Sequence, residues 1–75
     1  MQKNETVREL SLGERRVQRS FNPSANPAIE ALKTKYADII DMLEAMRTPS
    51  NGREVSIAQT EAETSCMYAV KSLFV

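Results

Sequence analysis

The sequence predicts an all-α protein: an antiparallel helical hairpin behind a short N-terminal helix or arm, built to assemble with copies of itself. Three observations carry that expectation. Residues 27–47 and 53–73 repeat their apolar side chains at steps of three and four, which is the period of a helix with one buried face. Both segments are bounded by Pro, Asn and Gly at positions where helices start and stop. The chain has only 75 residues, with two Phe, two Tyr, no Trp and one cysteine. So small a chain, with neither a disulfide nor a metal, depends on self-association for stability.

Residues 1–20 carry Val7, Leu10, Val17 and Phe21 as the apolar positions of a weak helix over about 5–19, with Gly13 as its interruption. The alternative for this stretch is a flexible arm. The segment "FNPSANP" at 21–27 is a punctuated loop. Its Asn26-Pro27 pair matches an N-cap followed by the first helical position, where the missing proline N–H would be unpaired anyway.

The second segment spaces Ile29, Leu32, Tyr36, Ile39, Leu43 and Met46 as a heptad seam, widened by Ile40. Asp38, Asp41 and Glu44 read as a solvated acidic face. "TPSNG" at 48–52 ends the helix with a proline and an Asn-Gly turn. The third segment contains no proline or glycine over 53–73. It presents two apolar stripes: Val55, Ala58, Ala62, Ala69 and Leu73 with Cys66 between them, and Ile57, Met67, Val70 and Phe74. One hairpin partner covers one stripe. Either the N-terminal arm or a neighbouring subunit covers the other. The expected organisation is therefore a helix or arm over 1–20 and a hairpin over 21–75, within a single domain.

Ten basic residues balance ten acidic ones, and there is no histidine. A neutral chain gives no electrostatic case for duplex nucleic acid or for an acidic membrane surface. One thiol makes no internal disulfide, so nothing suggests secretion. The first twenty residues lack the apolar stretch of a signal peptide, and no apolar run approaches a bilayer span. The expectation is a soluble protein of a reducing compartment. Enzymatic chemistry is poorly supplied: there is no His for general base work, no Cys/His pair and no Ser-His-Asp set. No catalytic residue, metal ligand set or cofactor motif is assigned, and a single Cys does not hold a metal. No glycine-rich phosphate loop is present.

Anion binding has more support. Arg53 stands at the start of the third helix, where the dipole is already positive and a cation works against local stability. Free backbone N–H groups there attract anions. Arg53 can fork onto a phosphate, and Ser56 and Thr60 add hydroxyls one helical turn apart. The plain alternative is an arginine facing solvent. A second candidate lies at 16–36, where Phe21 is a loop aromatic flanked by Arg16 and Arg19 and followed by Lys33 and Lys35. A ring with cations around it suits a nucleotide base and its phosphate. The alternative is that Phe21 packs on the second helix as a hydrophobic staple.

With these segments in place, "RSFNPSANPAIEALK" and "GREVSIAQTEAETSCMYAVKSL" resemble the helical-hairpin domain of phage cyclic-oligonucleotide sponges, the anti-CBASS proteins and the related anti-Thoeris proteins. The resemblance covers about 19–73. Phe21-Asn22-Pro23-Ser24, Leu32-Lys33, the run Arg53 to Thr60, and Met67-Tyr68-Ala69 carry it. Tyr68 stands where that family usually has Trp, and Ala62, Ser65 and Cys66 replace bulkier or more regular residues. The lack of a β-rich extension favours the short anti-CBASS type.

The resemblance implies interlocked homohexamers in the cytoplasm of the infected bacterial host. They would sequester cyclic di- and trinucleotide messengers, of the 3′,3′-cyclic GMP–AMP type and of the cyclic trinucleotide type, without cleaving them, and so block CBASS signalling. Phe21, Asn22, Ser24, Lys33 and Arg19 would serve the dinucleotide. Arg53, Ser56 and Thr60 would line a separate three-fold pocket for the trinucleotide. A different class of function is a small helical regulator, anti-repressor-like, that grips a protein partner through its second apolar stripe. A helix-turn-helix DNA binder is opposed by the zero net charge and by the acids at 38–44.

Overall fold

The computed structural model describes residues 9–74. Its elements are α1 (Leu12–Arg16), α2 (Pro27–Ala45), α3 (Gly52–Lys71) and a closing 3₁₀ turn (Ser72–Phe74). No strand occurs among the described residues. α2 and α3 form the hairpin that their apolar periods predict, joined by a short connection that makes them antiparallel neighbours. α1 docks on α2. The body is a flat slab, 12 Å through its thinnest direction. That is too thin for a second layer of helices, whose axes pack roughly 8–10 Å apart.

The expected helix over 5–19 is shorter within the described residues, and positions 1–8 lie outside them. A reciprocal capping box starts α1: Ser11 Oγ accepts from the Glu14 N–H at 3.1 Å, and Glu14 Oε1 accepts from the Ser11 N–H at 2.9 Å. A Schellman pattern ends it. The Arg19 N–H donates to the Glu14 carbonyl, the Gln18 N–H to that of Arg15, and Gln18 takes the left-handed conformation at φ 54°.

Gly13 does not interrupt this helix; it lies buried inside it. A Cβ there would collide with the carbonyl oxygen of Ala37 and lie 2.8 Å and 2.9 Å from that residue's carbonyl carbon and Cα. The Gly13 N–H donates to Asp41 Oδ1 at 2.7 Å. A missing side chain on α1 and a small one on α2 therefore let the two backbones meet. Asp41 thus ties α1 to α2 at the positive end of α1, rather than belonging to a purely solvated acidic face.

The core holds Val17, Ala37, Ile40 and Cys66, with Leu12, Tyr36, Ala62 and Val70 packed against it. This corrects the heptad seam. The buried residues of α2 are Ile29, Lys33, Ala37 and Ile40, while Ile39, Met42 and Met46 are exposed. The buried stripe is rotated because α2 is covered from two sides, by α1 at Gly13–Ala37 and by α3. In α3 the buried residues are Val55, Gln59 and Cys66, and Leu73, in the closing 3₁₀ turn, is exposed.

Gln59 is the polar member of the α2–α3 contact, and its amide is paired. Its Nε2 donates to the Ile40 carbonyl at 3.2 Å and to Glu44 Oε1 at 3.0 Å, and its Oε1 accepts from Arg47 at 3.0 Å. Of the second stripe, Ile57, Met67 and Phe74 remain exposed. The described part of the arm does not cover them.

Candidate functional site

Phe21 and Lys33 lie toward one end of the hairpin and Arg53 and Ser56 toward the other, because α3 runs back along α2 for roughly 30 Å at 1.5 Å per residue; Thr60 lies between them, within reach of Arg16. At one end are the loop between α1 and α2, the start of α2 and the end of α3. At the other are the end of α2 and the start of α3.

The loop end is built from Asn22 outward. Its Oδ1 accepts from the Asn26 N–H and from Ser24 Oγ, both at 3.2 Å, and its Nδ2 donates to the Asn26 carbonyl at 2.9 Å. The side chain thereby supplies the partner of the Asn26 N–H and adds a donor to a carbonyl that already accepts from the Ile29 and Glu30 N–H groups. Ala25 completes the turn in the left-handed region at φ 52°. Asn26 then caps α2, its Oδ1 accepting from the Ala28 N–H at 2.8 Å. Asn22 and Ser24 are thus loop builders that also line a cavity.

Phe21 and Lys33 occupy the centre of this end. The ring is 63% exposed, so Phe21 is not a buried staple. Lys33 is only 7% exposed. Its Nζ donates to the Phe21 carbonyl at 2.7 Å and to the Gln18 carbonyl at 3.0 Å, and lies 5.5 Å from the Phe21 ring centroid. An ammonium has three donors, so one remains. No carboxylate lies within ion-pair distance of Lys33 among the described residues. Sequestering a cation without an acid partner is costly, and here neutral carbonyls alone offset that cost. Phe21, Lys33 and Val70 line two adjoining cavities of about 300 and 390 Å³. Each is at the small end of the roughly 300–1,000 Å³ typical of ligand pockets.

Arg19 lies beside this end but lines neither cavity. Its Nε donates to Thr34 Oγ1 at 3.2 Å, and the guanidinium pairs with Glu14 at 3.9 Å and Glu30 at 3.6 Å. It clamps the exit of α1 to α2. Arg16 lines the smaller cavity with Lys33 and Phe21. Sequence reasoning noted Arg16 as a neighbouring cation but did not place it; Arg16 lies within α1, and Arg19 follows the left-handed turn at Gln18.

At the other end, Asn51 precedes α3 without capping it. Its Oδ1 accepts from the Thr48 N–H and its Nδ2 donates to the Met46 carbonyl, so the side chain is spent on the turn. Arg53 is exposed and has no partner among the described residues. Arg53, Ser56 and Thr60 share one face of α3 by their spacing. Ser56 Oγ already accepts from Arg47 at 3.2 Å, and Thr60 Oγ1 from Arg16 at 3.4 Å. Arg47, absent from the sequence-level assignment, also donates to the Gly52 carbonyl and pairs with Glu44 at 3.2 Å. Its position just before the turn, opposite the first turn of α3, was the available signal.

Cys66 is buried, and burial pushes its thiol pKa up, which makes it a packing residue rather than a nucleophile. Among the described residues no group of His, Cys, Asp or Glu is arranged to hold a metal ion, and no helix is long and apolar enough to cross a membrane.

A family model described as "Acb2/Tad1, hairpin domain" matches residues 14–74. The chain belongs to the Acb2/Tad1 hairpin family. This is the anti-CBASS and anti-Thoeris sponge family, whose members are sponges rather than enzymes. No curated protein and no solved structure matches the chain. The match runs from Glu14, within α1, to Phe74, at the end of the 3₁₀ turn. The Acb2/Tad1 hairpin thus takes in both candidate ends and the Arg16 side chain.

Proposed function

We propose that this Acb2/Tad1 hairpin protein captures cyclic oligonucleotide messengers intact in the cytoplasm of an infected bacterium, as a homo-oligomer, hexameric by resemblance to its family, and so silences CBASS signalling. Phe21 and Lys33 hold the cyclic dinucleotide, of the 3′,3′-cyclic GMP–AMP type. Asn22 and Ser24 shape the loop around it, and Arg19 fastens that loop to α2. Arg53, Ser56 and Thr60 serve a cyclic trinucleotide where copies of the α3 start converge. The observation that carries this reading is Lys33: a nearly buried ammonium with one donor to spare, no acid partner among the described residues, and an exposed ring beside it. Such a group favours an anion that brings an aromatic base. The exposed residues of the second stripe, Ile57, Met67 and Phe74, suit burial between copies, because the slab has no second layer of its own.

Calorimetric titration of purified protein with 3′,3′-cyclic GMP–AMP and with a cyclic triadenylate tests the assignment. Phe21→Ala should weaken dinucleotide capture by roughly 10-fold or more, in line with about 1–3 kcal/mol for a stacked base. Arg53→Ala should weaken only trinucleotide capture. Heating the loaded protein should release unmodified ligand. Equal losses of both ligands in each variant would mean disassembly rather than two sites. A protein that binds neither, yet retains a protein partner through its exposed apolar stripe, would be a regulator instead.

A further inference from the structure

The loop-end cavity contains a second cation with no part in the assignment above. The Arg16 guanidinium lines the smaller cavity together with Phe21 and Lys33. It is held by Glu63, from α3, in an arrangement that uses one carboxylate oxygen only: Arg16 Nη2 and Nε both donate to Glu63 Oε1, at 2.7 Å and 3.2 Å. Nη2 also approaches Thr60 Oγ1 at 3.4 Å. Two parallel N–H groups on a single oxygen are a poor use of the fork, which matches two oxygens of a carboxylate or phosphate. Both side chains keep access to water, at 25% and 38% exposure, so the pair exchanges readily.

We propose that Arg16 is the phosphate clasp of this cavity, and that Glu63 is the internal counter-ion a ligand phosphodiester displaces. Lys33 is fixed by the Gln18 and Phe21 carbonyls and offers one N–H. Arg16 supplies the movable, two-pronged contact. On binding, Arg16 exchanges one Glu63 oxygen for two phosphate oxygens, and the Glu63 carboxylate turns to water. Glu63 therefore sets a threshold. A ligand carrying a phosphodiester beside an aromatic base displaces it, and an uncharged nucleoside does not. The inference rests on the dinucleotide reading of the Phe21–Lys33 cavity.

A double-mutant cycle with the full chain and 3′,3′-cyclic GMP–AMP, read by calorimetry, tests it. Arg16→Gln should weaken binding roughly 10-fold, the loss expected of one charge-assisted contact. Glu63→Gln should tighten it by roughly two- to five-fold, the scale of a partly exposed ion pair. In the Arg16→Gln background, Glu63→Gln should change nothing. Adenosine should bind all four proteins equally weakly. Melting followed by circular dichroism checks that each variant is folded. If Glu63→Gln has the same effect with and without Arg16, the exchange is overturned while the Phe21–Lys33 site stands. If wild-type protein takes up no dinucleotide, the site and the clasp fall together.

Discussion

The two long helices begin in opposite ways. At the start of α2, Asn26 turns its side-chain Oδ1 to accept from the Ala28 N–H, and the loop before it is closed by Asn22. At the start of α3, Asn51 turns away and caps nothing on its own helix. The first end is finished within one chain: a buried lysine, an exposed ring and two cavities are in place with no help from another copy. The second end is left open, with a lone Arg53 and hydroxyls already engaged by Arg47 and Arg16. One end has its proposed ligand groups fixed in advance of any ligand. The other acquires enough cations only if symmetric copies bring several Arg53 side chains together. The same type of cap residue thus gives two outcomes, decided by where its side chain finds a partner.

The largest effect should come from breaking what builds the finished end alone. Gly13→Ala forces a methyl group onto the Ala37 carbonyl, and a backbone atom cannot move aside as a side chain does. The expected loss is about 3 kcal/mol, the upper part of the usual range for overpacking. In a domain of this size that lowers Tm by more than about 10 °C. Hydrogen exchange should show residues 14–26 losing protection before the start of α3 does. A variant that melts with the wild type would mean that α1 is not held by this contact.

Much of the finished end was legible in the sequence and little of its orientation was. The helix boundaries followed from Pro27, Asn26 and the Asn51-Gly52 turn, because breakers and caps act locally. Phe21 and Lys33 were marked by residue type and by the resemblance carried on 21–24 and 32–33. The rotation of the α2 face was not legible. A period shows that a helix has an apolar side; it does not show that a buried lysine and an alanine lie on the packed side while Ile39 and Met46 face out. That choice is made by Gly13, a residue whose missing side chain reads in a sequence as a break. Gln59 was invisible for a related reason: an amide is buried only where Ile40, Glu44 and Arg47 supply all its partners, and those lie on α2 and in the connection after it.

A smaller effect separates the open end. The Gln59 amide, followed by Arg47, holds the Glu44 carboxyl below its ordinary value near 4.5. A group whose folded pKa is lowered contributes stability above its unfolded value and loses it as pH falls through the folded one. Glu44→Gln should therefore lower Tm at pH 7, and the difference from wild type should shrink as the pH falls below the unfolded value, about 4.5, toward the lowered folded one. Acid should loosen the start of α3 through Arg47 and Gln59 before it affects Lys33 or the loop at 21–26. A Tm difference that stays constant from pH 7 to pH 3 would mean that the Glu44 contact is not one of charge.

The smallest effect, and the finest test of preorganisation, lies at Gln18. Its left-handed backbone, φ 54°, closes α1 and aims the Gln18 carbonyl at Lys33, 3.0 Å away. A side chain in that conformation costs about 1–2 kcal/mol, whereas glycine adopts it freely but gives back roughly 0.5–1 kcal/mol through a more flexible unfolded chain. Gln18→Gly should therefore stabilise the fold by roughly 0.5 kcal/mol, a rise of a few degrees in Tm, with dinucleotide affinity unchanged because the carbonyl remains. A stabilised variant that binds several-fold more weakly would show that the Gln18 side chain itself touches the ligand. A destabilised one would show that the strain at this turn is already relieved by contacts of the Gln18 side chain.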